Sequence, residues 1–91
     1  MSGSQDDATG FEFPCDYQVK AMGHDDGSFR ETVIDILSQH CDNIDHERIV
    51  CRASRNGKYL SVSVIIEAQS REHLDAIYAA LTAHEKVLMR L

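Results

Sequence analysis

The chain has 91 residues, 43% of them apolar, and a formal net charge of −6. That length makes one small domain with a modest core, and the negative balance argues against a general nucleic-acid or anionic-membrane binder. The longest apolar stretch, Val62 to Ile66, is interrupted by Ser63 and far too short to span a bilayer.

No basic segment followed by an apolar run opens the chain, so no secretory signal is expected. Cys15, Cys41 and Cys51 are an odd number of cysteines at unrelated spacings, which fits a reducing cytoplasm better than a disulfide framework. Residues 1–10 are polar and aperiodic and read as a disordered tail; residues 11–91 read as a single domain. Phe11 and Phe13 introduce apolar mass, and Pro14 suits the start of a strand. From Cys15 to Met22, Tyr17, Val19 and Ala21 alternate with Asp16, Gln18 and Lys20, the pattern of a half-buried strand. Gly23 to Gly27 is rich in turn-formers and reads as a loop.

Ser28 followed by Glu31 is a capping box and opens a helix. Phe29, Val33, Ile36 and Leu37 form its apolar stripe, and the helix is expected to run to about His40. Strands are expected near Glu47 to Ser54 and Lys58 to Ala68, joined at Asn56-Gly57, the dipeptide best suited to a two-residue type I′ loop. That loop pairs Arg55 with Lys58, Ala53 with Leu60, Cys51 with Val62 and Ile49 with Val64, placing apolar pairs on one face. Ser70 is the next N-cap, with Glu72 in the first turn, and Leu74, Ile77, Tyr78 and Leu81 form the second helical stripe. Val87, Met89 and Leu91 share one parity in a short last strand.

The order strand, helix, strand, strand, helix, strand predicts an α+β fold of the ferredoxin-like, split βαβ type. Two helices are expected on one face of a four-stranded antiparallel sheet, with the first and third strands central. The other face then carries Asp16, Gln18, Lys20, Val50, Tyr59, Ser61, Ser63 and Ile65.

Three stretches carry a family resemblance: Phe13-Pro14 with Tyr17-x-Val19-Lys20-x-Met22-Gly23, then Ser54-x-x-Gly57-x-Tyr59-x-Ser61-Val62-Ser63, then the ending Val87-Leu88-Met89-Arg90-Leu91. Over about Phe11 to Leu91 the chain resembles the YbeD-like family of small bacterial proteins. The resemblance implies a ferredoxin-like fold similar to the ACT domains that regulate metabolic enzymes. It implies no established activity and supplies no catalytic residues. Close agreement with relatives is not expected in the tail before Phe11 or at Arg90.

Nucleophilic catalysis needs a Cys or Ser beside an oriented base, and the parity of Cys15 and Cys51 makes both small buried hydrophobes. His40, Cys41, Asp42 and His46 are the densest set of potential metal ligands, without the short paired spacings of a zinc site. No catalytic residue, cofactor or metal is therefore expected, and these side chains should not converge. The loop Gly23, His24, Asp25, Asp26, Gly27, Ser28 precedes a helix N-terminus. Its two aspartates suit an ammonium-bearing, amino-acid-like effector better than a phosphate. RNA recognition would need aromatics on the open face of the two central strands, and only Tyr59 is there. Arg48, Arg52 and Arg55 read as solubilising edge charges.

The sequence thus predicts a non-enzymatic, cytoplasmic, ACT-like regulatory domain acting through a protein partner or a small effector. Its interaction face is Val50, Tyr59, Ser61, Ser63 and Ile65, and a homodimer is compatible with it. The alternatives are a small-molecule sensor using Gly23 to Ser28, and a metal protein or enzyme using His40, Cys41 and His46.

Overall fold

The computed structural model describes residues 12–90; the predicted tail over residues 1–10 and the end of the last predicted strand, Leu91, lie outside them. The described chain runs β1 (Cys15–His24), α1 (Phe29–Ser38), a 3₁₀ turn (His46–Arg48), β2 (Val50–Ala53), β3 (Tyr59–Ala68), α2 (Arg71–Ala83) and β4 (Met89–Arg90). The sheet order is β2-β3-β1-β4 and every pairing is antiparallel. The class is α+β, built on the long β1–β3 pair, which matches Cys15 with Ala68 through to His24 with Tyr59. Among the described residues β4 contributes the Ala21–Arg90 and Met22–Met89 pairs.

Alternation decides which face is covered. Val19 and Ala21 on β1 and Val62, Val64, Ile66 and Ala68 on β3 are buried together with Phe29, Val33, Ile36 and Leu37 of α1 and Leu74, Ile77 and Leu81 of α2. Both helices thus lie on one side of the sheet. Burying each of these large aliphatic side chains is worth about 1.5–3 kcal/mol. Tyr78, Ile49 and Leu60, expected in the core, are half-buried at its margin.

The β2–β3 register is Val50–Ser63, Cys51–Val62, Arg52–Ser61 and Ala53–Leu60, as the alternation predicted. The loop is different. The last ladder bond is from the Ser54 N–H to the Tyr59 carbonyl (2.8 Å), leaving a four-residue connection, and the Gly57 N–H donates to the Ser54 carbonyl (2.9 Å). Gly57 has φ +74, while among the described residues no non-glycine has positive φ, so the type I′ turn does not form. Asn56 Oδ1 instead accepts from the Ser54 hydroxyl (3.0 Å) and the Lys58 N–H (3.1 Å). A two-residue and a four-residue loop share the same midpoint, which is why the register survives the change of turn.

Other elements depart in ways with local causes. Ile49 does not enter the ladder with Val64, because Asp45 Oδ1 caps the 3₁₀ turn through the Glu47 N–H (3.0 Å) and β2 starts only at Val50. α1 ends at Ser38, before His40. Gly23 and His24 belong to β1, paired with Leu60 and Tyr59, not to a loop. Ser28 is the N-cap of α1 but its side chain makes no cap bond; the expected capping box is absent because the hydroxyl donates to Asp26 Oδ1 (3.1 Å). Ser70 does cap α2, accepting from the His73 N–H (3.0 Å).

Candidate functional site

The uncovered side of the sheet presents, row by row across β1, β3 and β2, His24–Tyr59, Met22–Ser61–Arg52, Lys20–Ser63–Val50 and Gln18–Ile65. Val50 is 56% exposed, and Tyr59, Ser61 and Ile65 are half-buried. The His24 ring stacks on Tyr59, with centroids 5.1 Å apart. Of the predicted interaction face, Ser63 departs: it is only 7% exposed. It sits mid-sheet between its cross-strand neighbours Lys20 and Val50, whose longer side chains stand above a short hydroxymethyl. A groove of about 180 Å³ lies beside Tyr59, lined by Met22, Arg52, Ala53, Ser54, Tyr59 and Ser61.

Every residue of β2 is exposed. Cys51 shares the helix-side parity of Val62 yet is solvent-accessible, and the expectation that it is buried is not met. The reason is position: β2 is a terminal strand, and the helical layer stops over β3 and β1. Cys15 and Cys41 are half-buried against the core.

The segment Gly23 to Ser28 is tied to the stretch before β4. Lys86 Nζ donates to Asp26 Oδ2 (2.9 Å) and to the Ser28 hydroxyl (3.3 Å), and the Ser28 N–H donates to Asp26 Oδ1 (2.9 Å). The Lys86 hydrogen bond, seconded by the Ser28 N–H, lowers the Asp26 carboxyl to about 2. The Asp25 N–H donates to the Lys58 carbonyl (3.0 Å), and Gly27 has φ +86. Asp26 therefore has an ammonium partner from its own chain. Gly23 is glycine for reasons of space, because a Cβ there would collide with the Lys86 carbonyl and the Phe29 ring.

The densest set of ligand-type side chains is held differently from any predicted arrangement. His73, which the sequence pattern did not single out, accepts at Nδ1 from the Gln69 N–H (3.0 Å), so the ring proton is on Nε2, 2.7 Å from the His40 carbonyl, to which it donates. Cys41 Sγ lies 3.9 Å from the same Nε2. This nitrogen has no lone pair with which to take the thiol proton, and burial, with the nearby Asp42 charge, pushes the Cys41 thiol up. The contact is thus a structural pin between the end of α1 and the start of α2, poorly suited to nucleophilic chemistry. A polar cavity of about 150 Å³ adjoins it, lined by His40, Cys41, Asp42, Asn43, Glu67, Gln69 and His73. His46 lines an adjoining open depression that shares Cys41, Asp42 and Asn43 with this cavity, whereas His40 and His73 line the cavity alone. Among the described residues no three His, Cys, Asp or Glu side chains are grouped to hold a metal ion, and no helix is long and apolar enough to cross a membrane.

A family model described as "Protein of unknown function (DUF493)" matches residues 8–91. The chain is 43% identical over 91 residues to a UPF0250 protein of Hahella chejuensis, covering 100% of both. It is 43% identical over 77 residues to a UPF0250 protein of Paraburkholderia phytofirmans, covering 85% of this chain and 86% of that one. It is 40% identical over 80 residues to UPF0250 protein NE1487 of Nitrosomonas europaea, covering 88% and 92%. The solution structure of protein HP0495 from H. pylori superposes with a TM-score of 0.73 at 17% identity, over 89% of this chain and 85% of that one, a likeness of fold.

Proposed function

Because this chain belongs to the DUF493 family of UPF0250 (YbeD-like) proteins of unknown function, we propose that it acts as a binding domain and not as an enzyme, docking a protein partner on the uncovered face of its sheet. The observation that carries this reading is the asymmetry of the sheet. One face is sealed by two helices, while the other leaves Val50, Tyr59 and Ile65 in reach of solvent beside a groove. The strand order β2-β3-β1-β4 supports a ferredoxin-like, ACT-like architecture, in which regulation works by association. Free cysteines and the Cys41–His73 pin support a cytoplasmic, non-catalytic role.

Photo-crosslinking in cells tests the reading. A photoreactive residue at Val50 or Tyr59 should capture a defined partner, and one at the exposed Asp75 on α2 should not. Ile65→Asp should abolish the capture. Equal capture from both sides of the molecule, or none, would reject the sheet face as the functional surface.

A second reading places an amino-acid-like effector at Gly23 to Ser28. It is supported by the Lys86 contacts, since the loop already holds an ammonium group between Asp26 and Ser28. An effector would take that place from Lys86, so Lys86→Met should sharpen the thermal shift given by amino acids. A flat response in both the parent and the variant would dismiss it.

A further inference from the structure

We propose that the outer edge of β2 receives an extended acidic segment of another protein as an added strand, selected by Arg52 and Arg55. The proposal rests on the sheet-face reading above and names the chemistry of the partner.

Backbone geometry supplies half of the argument. β2 ends the sheet, all four of its residues are exposed, and among the described residues nothing pairs with its outer edge. A free edge is a template for another strand, which short length, edge charge, proline and bulges all discourage. β2 is four residues long and carries Arg52, so its edge repels a basic or identical strand and is left open to an acidic one. The hairpin from Val50 to Ala68 contains no proline, and its β2–β3 register is regular throughout.

Charge supplies the other half. From Arg48 to Ile66 there are four basic residues, Arg48, Arg52, Arg55 and Lys58, and no acidic one, in a chain whose net charge is −6. Arg48 is paired with Asp16 at 3.4 Å, whereas Arg52, Arg55 and Lys58 make no ion pair among the described residues. A basic limb on an acidic body attracts an acidic segment and orients it along the limb. Arg52 also lines the groove with Met22 and Tyr59, where an apolar side chain of the incoming strand can rest.

The same charges weigh against two other occupants. Two copies pairing β2 to β2 would bring Arg52 and the neighbouring Arg55 of one copy close to those of the other, and like charges across a ladder destabilise it. A nucleic-acid strand longer than the hairpin would run from this limb onto the acidic body.

The test uses labelled peptides of about eight residues, a full strand's length, read by fluorescence anisotropy at low salt and by backbone amide shifts of the whole protein. The peptides are alternating Glu-Val, alternating Lys-Val, and a Glu-Val version interrupted by prolines. The Glu-Val peptide should bind, with shifts concentrated at residues 48–55. The Arg52→Glu, Arg55→Glu double variant, checked for an unchanged amide spectrum elsewhere, should weaken it about tenfold, as expected for reversing two exposed charges. The proline version should bind no better than the double variant binds the parent peptide. No Glu-Val binding, equal binding of Lys-Val, indifference to proline, stronger competition by single-stranded DNA, or self-association through β2 would each overturn the proposal. A partner captured from Val50 or Tyr59 whose capture survives the double variant would remove the edge proposal and leave the sheet-face reading standing.

Discussion

The chain passes from a strand into a helix twice, each time through a serine, and the two junctions are built on different contacts. Between β3 and α2, Ser70 is fully extended and its hydroxyl accepts from the His73 N–H, as a cap should. Between β1 and α1, Ser28 has φ −130 and ψ 3, its hydroxyl turns back to Asp26, and Lys86 donates to that same oxygen. Only the Ser28 carbonyl serves the helix, accepting from the Thr32 N–H and the Thr32 hydroxyl. Each junction is then fastened to a remote segment: the first by Lys86, the second by the His73 proton on the His40 carbonyl. A capping motif states what a serine can do locally. A cation arriving from 58 residues away decides what it does.

The largest effects should come from the residues that seat each junction on the core. Phe29 opens α1 and is 1% exposed, and Leu74 sits in the first turns of α2 at 5%. Phe29→Ala should cost about 3–5 kcal/mol and Leu74→Ala about 2–5 kcal/mol, measured by urea unfolding. In a domain this small either is a large part of the total stability. A loss below about 0.5 kcal/mol at one of them would mean that its helix is not anchored there.

Gly23→Ala sharpens the contrast, because the first junction is crowded from outside its own sequence. The added methyl would press into the Lys86 carbonyl and the Phe29 ring, and one of them must move, at a cost of about 1–3 kcal/mol for overpacking. A denaturation midpoint equal to that of the parent would show that the segment before β4 does not press on β1. The second junction has no such glycine, so the asymmetry is built into the chain.

Legibility in the sequence follows the range of the forces involved. The β1–β3 centre, both apolar stripes and the hairpin register were readable because each depends on periodicity within one element. Cys51 was misplaced because parity says which face a side chain takes, not whether a helix lies above it. Ser63 was misplaced for the converse reason, since neighbouring side chains bury a short residue on an open face. Asn56 shows a limit of turn propensity: its carboxamide satisfies two donors from an ordinary backbone conformation, so the left-handed one is left to Gly57. In the candidate site, Val50, Tyr59 and Ile65 follow from alternation alone. His73 and Lys86 could not be found, because their partners lie 33 and 58 residues away and no local pattern encodes them.

The capping contrast is itself measurable at a smaller scale. Ser70→Ala removes a made cap bond and should cost about 1 kcal/mol. Ser28→Ala removes a hydroxyl engaged in an exposed network and should cost only a few tenths, the usual range for a surface contact. Equal losses in the two variants would erase the distinction between the junctions.

The smallest effect is the pH dependence of the first junction. The Asp26 carboxyl lies at about 2 against an ordinary 3.8, chiefly because of the Lys86 hydrogen bond and then the Ser28 N–H. A depressed carboxyl stabilises the fold fully above its unfolded value, and that contribution is lost as pH falls through the folded value. The window is therefore from about 4 down to about 2. Side chains on both sides of the pair are more than a third exposed, so water screens the interaction and keeps it small. The difference in urea midpoint between the parent and Asp26→Asn should be constant above pH 4 and close toward zero near pH 2. Lys86→Met should flatten that closure, since the carboxyl then titrates nearer its ordinary value. A difference that persists unchanged to pH 2 would mean that Asp26 acts through the shape of its turn and not through its charge, and the first junction would then be held much as the second is, by hydrogen bonds alone.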